Sequence, residues 1–210
     1  MKTLTNKHRS SGGYGVSREV PLTLARAEQE DLGVIEQIIA ASISAWPAPD
    51  RLKRCVLPVL VYRVADLLDH EVIWVRRGVE PIAVAAWELD GDRPDPEAGT
   101  STLLHGLFVV ADAQRHGVGE GLQAMIAQRA ARVGFNGLHV KAERFATGYF
   151  EGHGYHRLSP ADQPDAHESY PYWFWQSCAE ISQSMAQGPL HDARLPPSFL
   201  PKKESDTCQI

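Results

Sequence analysis

Cysteine is scarce in this chain of 210 residues: Cys55, Cys178 and Cys208 stand far apart from one another. Three separated thiols suggest neither a disulfide framework nor a zinc site, and a reducing cytoplasm is the simplest setting. Long apolar runs are missing too. Nowhere do about eighteen apolar residues follow one another, the length a membrane-spanning helix needs. The basic start, Lys2, Lys7, His8 and Arg9, leads into no apolar stretch of the kind a secretory leader carries. Membrane association and secretion are therefore not expected. Positive charge is in deficit, with a formal net charge of −5, so there is no basic field for nucleic acid, and an acidic surface favours cationic partners such as amines. No internal repeat is present. No Gly-Lys-Ser or Gly-Lys-Thr completes a nucleotide phosphate loop, and Gly117-Val118-Gly119-Glu120-Gly121 lacks the spacing of a dinucleotide-binding turn.

What is present centres on Leu103 to Gly119, where a strand pattern passes through a short loop into a helix pattern. Leu103, His105, Leu107 and Val109 are expected on one face of the strand, and Leu104, Gly106, Phe108 and Val110 on the other. Both faces are mostly apolar, as a central strand requires. Beyond Val118, Leu122, Met125, Ile126, Ala130 and Val133 recur at three and four, one stripe of an amphipathic helix. In the intervening loop Gly117 and Gly119 remove side chains at the helix N-terminus. Unpaired N–H groups there can approach an anion closely, although two glycines in such a turn are equally compatible with a plain turn.

Residues 1–20 are polar and Gly/Ser-rich in the middle, and read as a flexible arm. Leu22 to Arg26 alternates like a first strand. After Asp31 a helix is expected, with Leu32, Ile35, Ile38, Ile39 and Ser42 on its buried face, ended by Trp46-Pro47-Ala48-Pro49. Arg51 to Asp69 reads as a second helical stretch interrupted by Pro58, with Leu57, Val61, Val64, Leu67 and Leu68 available for burial. Tyr62 and Arg63 in it are within reach of an acceptor, packing being the expected role for each. Glu71–Val75 and Ile82–Trp87 form a hairpin about Gly78 and Pro81, followed by a solvated loop from Asp90 to Gly99. Tyr170 to Gln176 suits a last strand, with Tyr172 and Phe174 on one face and Trp173 and Trp175 on the other. Residues 178–210 lack sustained periodicity and are expected to be an extended or disordered tail.

Gln114-Arg115-His116-Gly117-Val118-Gly119 resembles motif A of the GNAT superfamily of N-acetyltransferases, Gln/Arg-x-x-Gly-x-Gly/Ala, preceded by a strand ending in Leu107-Phe108-Val109. Ala146 to Tyr155 is similar to the family's motif B, Ala-x-x-aromatic-aromatic-x-x-x-Gly-aromatic. The resemblance extends from about Leu22 to Gln176. It implies a single α/β (α+β) domain over residues 21–177, a central mixed, mostly antiparallel sheet of six to seven strands splayed between strands 4 and 5 and flanked by about four helices. It implies acetyl-CoA as co-substrate and no metal. Leu107, Phe108 and Val109 would lie along the pantetheine, and Gln114, Arg115, His116, Gly117, Val118, Gly119 and Glu120 around the pyrophosphate, with Phe150 beside the cofactor. The acetyl group would pass directly to a primary amine, on a small molecule or a peptide, in a ternary complex, and a homodimer is possible.

The family's catalytic groups are partly replaced. Leu103 stands where many relatives carry a Glu base, which leaves His105 on the same face and Glu88 after the preceding strand as candidates. Phe150 stands where a Tyr commonly acts as the acid, which leaves Tyr149 or solvent. Glu143 replaces a common Asn. These departures keep a second reading in view, a non-catalytic GNAT-fold module that binds acyl-CoA or another protein.

Overall fold

Alternating segments in the first half of the chain pair with their sequence neighbours, and the central segment turns the sheet parallel once. The computed structural model describes residues 20–91, 93–97, 99–163, 172–184 and 190. Among these, eight strands form one sheet: β1 (Leu22–Arg26), β2 (His70–Arg77), β3 (Glu80–Glu88), β4 (Arg93–Pro94), β5 (Thr100–Val109), β6 (Gly137–Lys141), β7 (His156–Arg157) and β8 (Trp173–Ser177). Their order is β1-β2-β3-β5-β6-β8-β7, with β4 laid against the start of β5. Neighbours are antiparallel except β5 and β6, which run parallel. The helices are α1 (Leu32–Ser44), α2 (Asp50–Leu60), α3 (Asp66–Asp69), α4 (Val118–Arg132), α5 (Thr147–Gly152) and α6 (Cys178–Ser184).

Helices α4 and α6 cover one face of the sheet, where Ile73, Val75, Trp87, Leu122, Ile126, Leu138, Phe174 and Ile181 form the main core. Helix α1 covers the other face, placing Ile35, Ile38 and Ile39 on Val72, Val84 and Ala86. Each of these isoleucine and valine side chains taken fully out of water contributes about 1.5–3 kcal/mol. The α4 face also holds a buried ion pair. Glu71 on β2 accepts hydrogen bonds from Trp87 Nε1 (2.9 Å) and Arg129 Nε (2.6 Å), and a second one from the Arg129 guanidinium, so both its oxygens are engaged. This pair ties α4 to the sheet.

The first strand and helix, the β2–β3 hairpin with Gly78 at φ 63°, and the opposed faces of Trp173/Trp175 and Phe174 follow the sequence pattern. Four expectations are corrected. The alternation along β5 is broken: Ala86 pairs with Gly106 but Trp87 pairs with Leu104, leaving His105 as the extra residue of a β-bulge. Leu104 therefore shares the α4 face with Leu107 and Val109, while Leu103 packs opposite with Leu158, Trp173 and Trp175. Val64 and Leu68 are exposed, at 51% and 79%, because α2 ends at Leu60 and only the four residues of α3 are helical beyond it. The Asp90–Gly99 loop contributes β4. The chain after Ser177 does not begin an extended tail; it forms α6, whose Cys178 and Ile181 are buried against α4. The arm expected over residues 1–20 lies, apart from Val20, outside the described residues, as does most of the chain beyond Ser184. No helix among the described residues is long and apolar enough to cross a membrane.

Candidate active site

Strands β5 and β6 are paired only as far as Leu104 and Val140. Strand β6 ends at Lys141, whereas β5 continues to Val109 with β3 alone as neighbour. The sheet thus opens into a wedge along residues 105–109. Val110 N–H bonds to Ile82 C=O on β3 (3.0 Å), so strand alternation turns the N–H of Val109 toward the open side.

Two adjoining chambers fill the wedge. The one at its apex, about 150 Å³, is lined by Leu104, His105, Gly106, Leu107, Val140, Lys141, Glu143 and Phe145. The larger, about 410 Å³, is lined by Val109, Gln114, Arg115, Gly117, Gly119, Glu120, Tyr149 and His153. Trp46, Leu107, Phe145, Ala146 and Phe150 border both, so the two form one cleft. Phe150 is buried and stacked near Tyr155 and Phe174, which fixes the cleft wall at the junction.

The glycine loop closes the wide end. Arg115 (φ 61°) and Gly117 (φ 77°) both adopt the left-handed conformation, which a non-glycine residue holds at a cost of roughly 1–2 kcal/mol. Helix α4 follows, and its first-turn bond runs from Gly121 N–H to Gly117 C=O (2.9 Å). The N–H groups of Val118, Gly119 and Glu120 precede that bond and have no intrahelical acceptor, so the positive end of a 15-residue helix faces the cleft. Such a cradle suits a phosphate or pyrophosphate. Gln114 donates to Val109 C=O (2.9 Å) and ties the loop to the end of β5. His116 is exposed, its Nδ1 donating to Gln114 C=O (2.7 Å).

Glu120 would place a carboxylate beside a bound anion, but it is paired with His153 Nε2 at 2.8 Å. Tyr149 packs against His153 at a tilt, ring centres 4.2 Å apart, and its hydroxyl accepts a hydrogen bond from Gln123 Nε2 (2.7 Å). A side chain at Gly119 would come within 2.9 Å of that hydroxyl. Tyr149 therefore lies over the first turn of α4 in the larger chamber, away from the apex. Burial, and then the charge of Glu120, push its ionisation well above the usual phenol range.

At the apex the bulge turns His105 toward the α1 side. Its Nδ1 lies 3.3 Å from the hydroxyl of Tyr62, and its ring 4.4 Å from that of His70. Partial burial, and next the proximity of His70, lower its pKa below the ordinary 6.5, while Glu88 and Asp66 act in the opposite direction. An imidazole of this kind is neutral at pH 7 and able to accept a proton. Glu88 lies off the cleft. Its carboxylate forms a two-pronged ion pair with Arg93, one contact being 3.1 Å, so each of its oxygens is engaged.

The structure thus brings Gln114, Arg115, Gly117, Gly119 and Glu120 of the predicted loop, the end of β5, Phe150 and His105 to one cleft, while the Val118 side chain is buried in the core, His116 is not among the lining residues, Glu88 is left out and the Tyr149 hydroxyl is held at the far end. Tyr62 and His70 belong to the apex cluster although the sequence pattern marked Tyr62 for packing and did not mark His70. The one available signal was Gly106, a glycine inside a strand, which indicates a close approach by another group. Among the described residues no three His, Cys, Asp or Glu side chains are grouped to hold a metal.

Residues 96–171 match the family described as the Acetyltransferase (GNAT) domain. Among solved structures, the PaiA N-acetyltransferase of Thermoplasma acidophilum in complex with coenzyme A is 10% identical, with a TM-score of 0.55, over 74% of this chain and 98% of that one. N-acetylglutamate synthase from Neisseria gonorrhoeae, complexed with coenzyme A and L-arginine, is 17% identical with a TM-score of 0.52, over 76% of this chain but only 34% of its own. A GNAT family acetyltransferase from Brucella melitensis in complex with acetyl-CoA is 12% identical with a TM-score of 0.50, over 75% of this chain and 88% of that one. No curated protein matches by sequence.

Proposed function

From the match of residues 96–171 to the GNAT acetyltransferase domain, we propose that this chain is an acetyl-CoA-dependent N-acetyltransferase acting on a primary amine by direct transfer. The observation that carries the reading is the wedge between β5 and β6 leading onto the anion cradle at the start of α4. A molecule with a pyrophosphate at one end and a narrow acylated arm matches that shape. Solved relatives of this fold hold coenzyme A or acetyl-CoA, which supports the same assignment.

Acetyl-CoA supplies the activated acyl group. The N–H groups of Val118, Gly119 and Glu120 and the left-handed loop bind the pyrophosphate, and Leu107 and Val109 line the pantetheine path. The Val109 N–H, free of β3, donates to the carbonyl oxygen as negative charge develops on it. His105 accepts the amine proton at the apex. Phe150 offers no hydroxyl and that of Tyr149 is remote, so the departing thiolate takes its proton from solvent; a thiol with a free pKa of about 8.5 leaves without a dedicated acid.

Isothermal titration with acetyl-CoA and with free CoA tests this reading. Both are expected to bind the unaltered chain. Gly117→Arg, which loads a long side chain onto a left-handed position in the cradle, is expected to weaken both by at least tenfold. A folded protein that binds neither compound would refute the assignment.

A further inference from the structure

Tyr62 has no place in the steps above, yet it is buried and its hydroxyl touches the proposed base. Strand and loop are shaped to receive it. A side chain at Gly106 would come within 2.4 Å of the Tyr62 hydroxyl, so the phenol is seated directly on the strand backbone where the bulge presents His105. The contact joins residues 43 positions apart, one from the segment after α2 and one from β5.

A neutral imidazole has one N–H and one lone pair, and the partner of one nitrogen decides which carries which. If the phenol donated to Nδ1, the lone pair of His105 would be consumed and the ring could not act as a base. If Nδ1 donates to the phenol oxygen, the lone pair stands on Nε2, in a ring that lines the apex chamber and is exposed to it. We propose that Tyr62 is a positioning residue: its phenol oxygen accepts the Nδ1–H of His105 and so holds the tautomer whose Nε2 takes the amine proton. The proposal rests on the acetyltransferase reading.

His70 Nδ1 donates to Asp66 C=O (3.0 Å), which leaves its Nε2 buried and without a hydrogen-bond partner among the described residues, so His70 packs against His105 at a tilt of 60° and does not compete for Nδ1. Burial and the charge of Asp66 keep Tyr62 a neutral phenol far above physiological pH. The groups facing His105 are Tyr62, His70 on β2, Asp66 on α3, Glu88 on β3 and Arg93 on β4. In the step itself the amine nitrogen bonds to the acyl carbon, its proton moves to Nε2, the carbon–sulfur bond breaks toward sulfur, and the thiolate and the imidazolium re-equilibrate with water.

Nitrogen-15 NMR of the histidine side chains in the full-length chain, at pH 7.5 and with and without CoA, reads the tautomer directly. The His105 signals are assigned by their loss in His105→Gln. His105 is expected in the Nδ1–H form, and Tyr62→Phe, which keeps the ring and removes only the oxygen, is expected to shift at least half of the population to Nε2–H. Gly106→Ala, which displaces the phenol from the other side, is expected to shift it the same way. Predominance of the Nε2–H form in the unaltered chain, or an unchanged tautomer in both variants, would overturn the proposal. Titration of acetyl-CoA into the same samples separates the two ideas. Binding unchanged in Tyr62→Phe supports a role confined to the base, whereas failure of the unaltered chain to bind would refute the enzyme assignment whatever the tautomer.

Discussion

At the scale of single residues, His105 couples folding to pH. Its folded-state pKa lies below the unfolded value, first through partial burial and second through His70, so between the two values the unfolded chain holds more protons than the folded one. The imidazole therefore opposes folding as pH falls below the unfolded value of about 6.5, and is neutral in that respect above it. Urea unfolding midpoints measured from pH 7.5 to 5 are expected to fall more steeply in the unaltered chain than in His105→Gln. Equal slopes would mean that the environment of His105 does not disfavour its charged form. Acetyl transfer, if His105 is the base, falls over the same range and in the same direction.

Individual elements differ in how plainly they are written in the sequence. Helix α4 is legible because its stripe is long and its neighbours are local, whereas α6 is seven residues, too short to show a period above the noise of a Gly- and Pro-rich end. Its burial is decided by what α4 leaves uncovered. Ile181 is fully buried there, and Ile181→Ala is expected to cost about 2–5 kcal/mol, read as a lowered urea midpoint at unchanged m-value. A cost below about 0.5 kcal/mol, the range of surface substitutions, would mean that α6 does not belong to the folded domain. The bulge in β5 was not legible either. Period-two alternation holds only while pairing is regular, and the extra residue reverses every later side chain relative to the earlier ones. For the site this mattered: the same strand presents Leu107 and Val109 to the α4 face and His105 to the α1 side.

For the molecule as a whole, the cleft is the gap left where one parallel pair of strands ends early. The N–H groups of Leu107 and Val109 point away from β3 into the open wedge, and those at the start of α4 have no helical acceptor, so hydrogen exchange there is expected to be fast in the free chain. Saturating acetyl-CoA is expected to slow exchange at residues 107–109 and 115–120 at least tenfold, with little change in β1, β2 or the β2–β3 turn. Protection spread evenly over the sheet would point to a general stabilisation and against a ligand seated in the wedge.

The sequence by itself determined the α/β class, the strand-loop-helix unit at its centre, the glycines of the loop before α4 and the family those motifs resemble. These are short-range properties, set by periodicity and by backbone freedom at single positions. Only the tertiary structure decided that Glu88 is spent on Arg93, that Tyr149 is held at Gln123, that α6 completes the core, and that Tyr62 and His70 meet His105. Each of those depends on contacts between residues far apart in the chain, and no local pattern encodes which distant side chain will arrive.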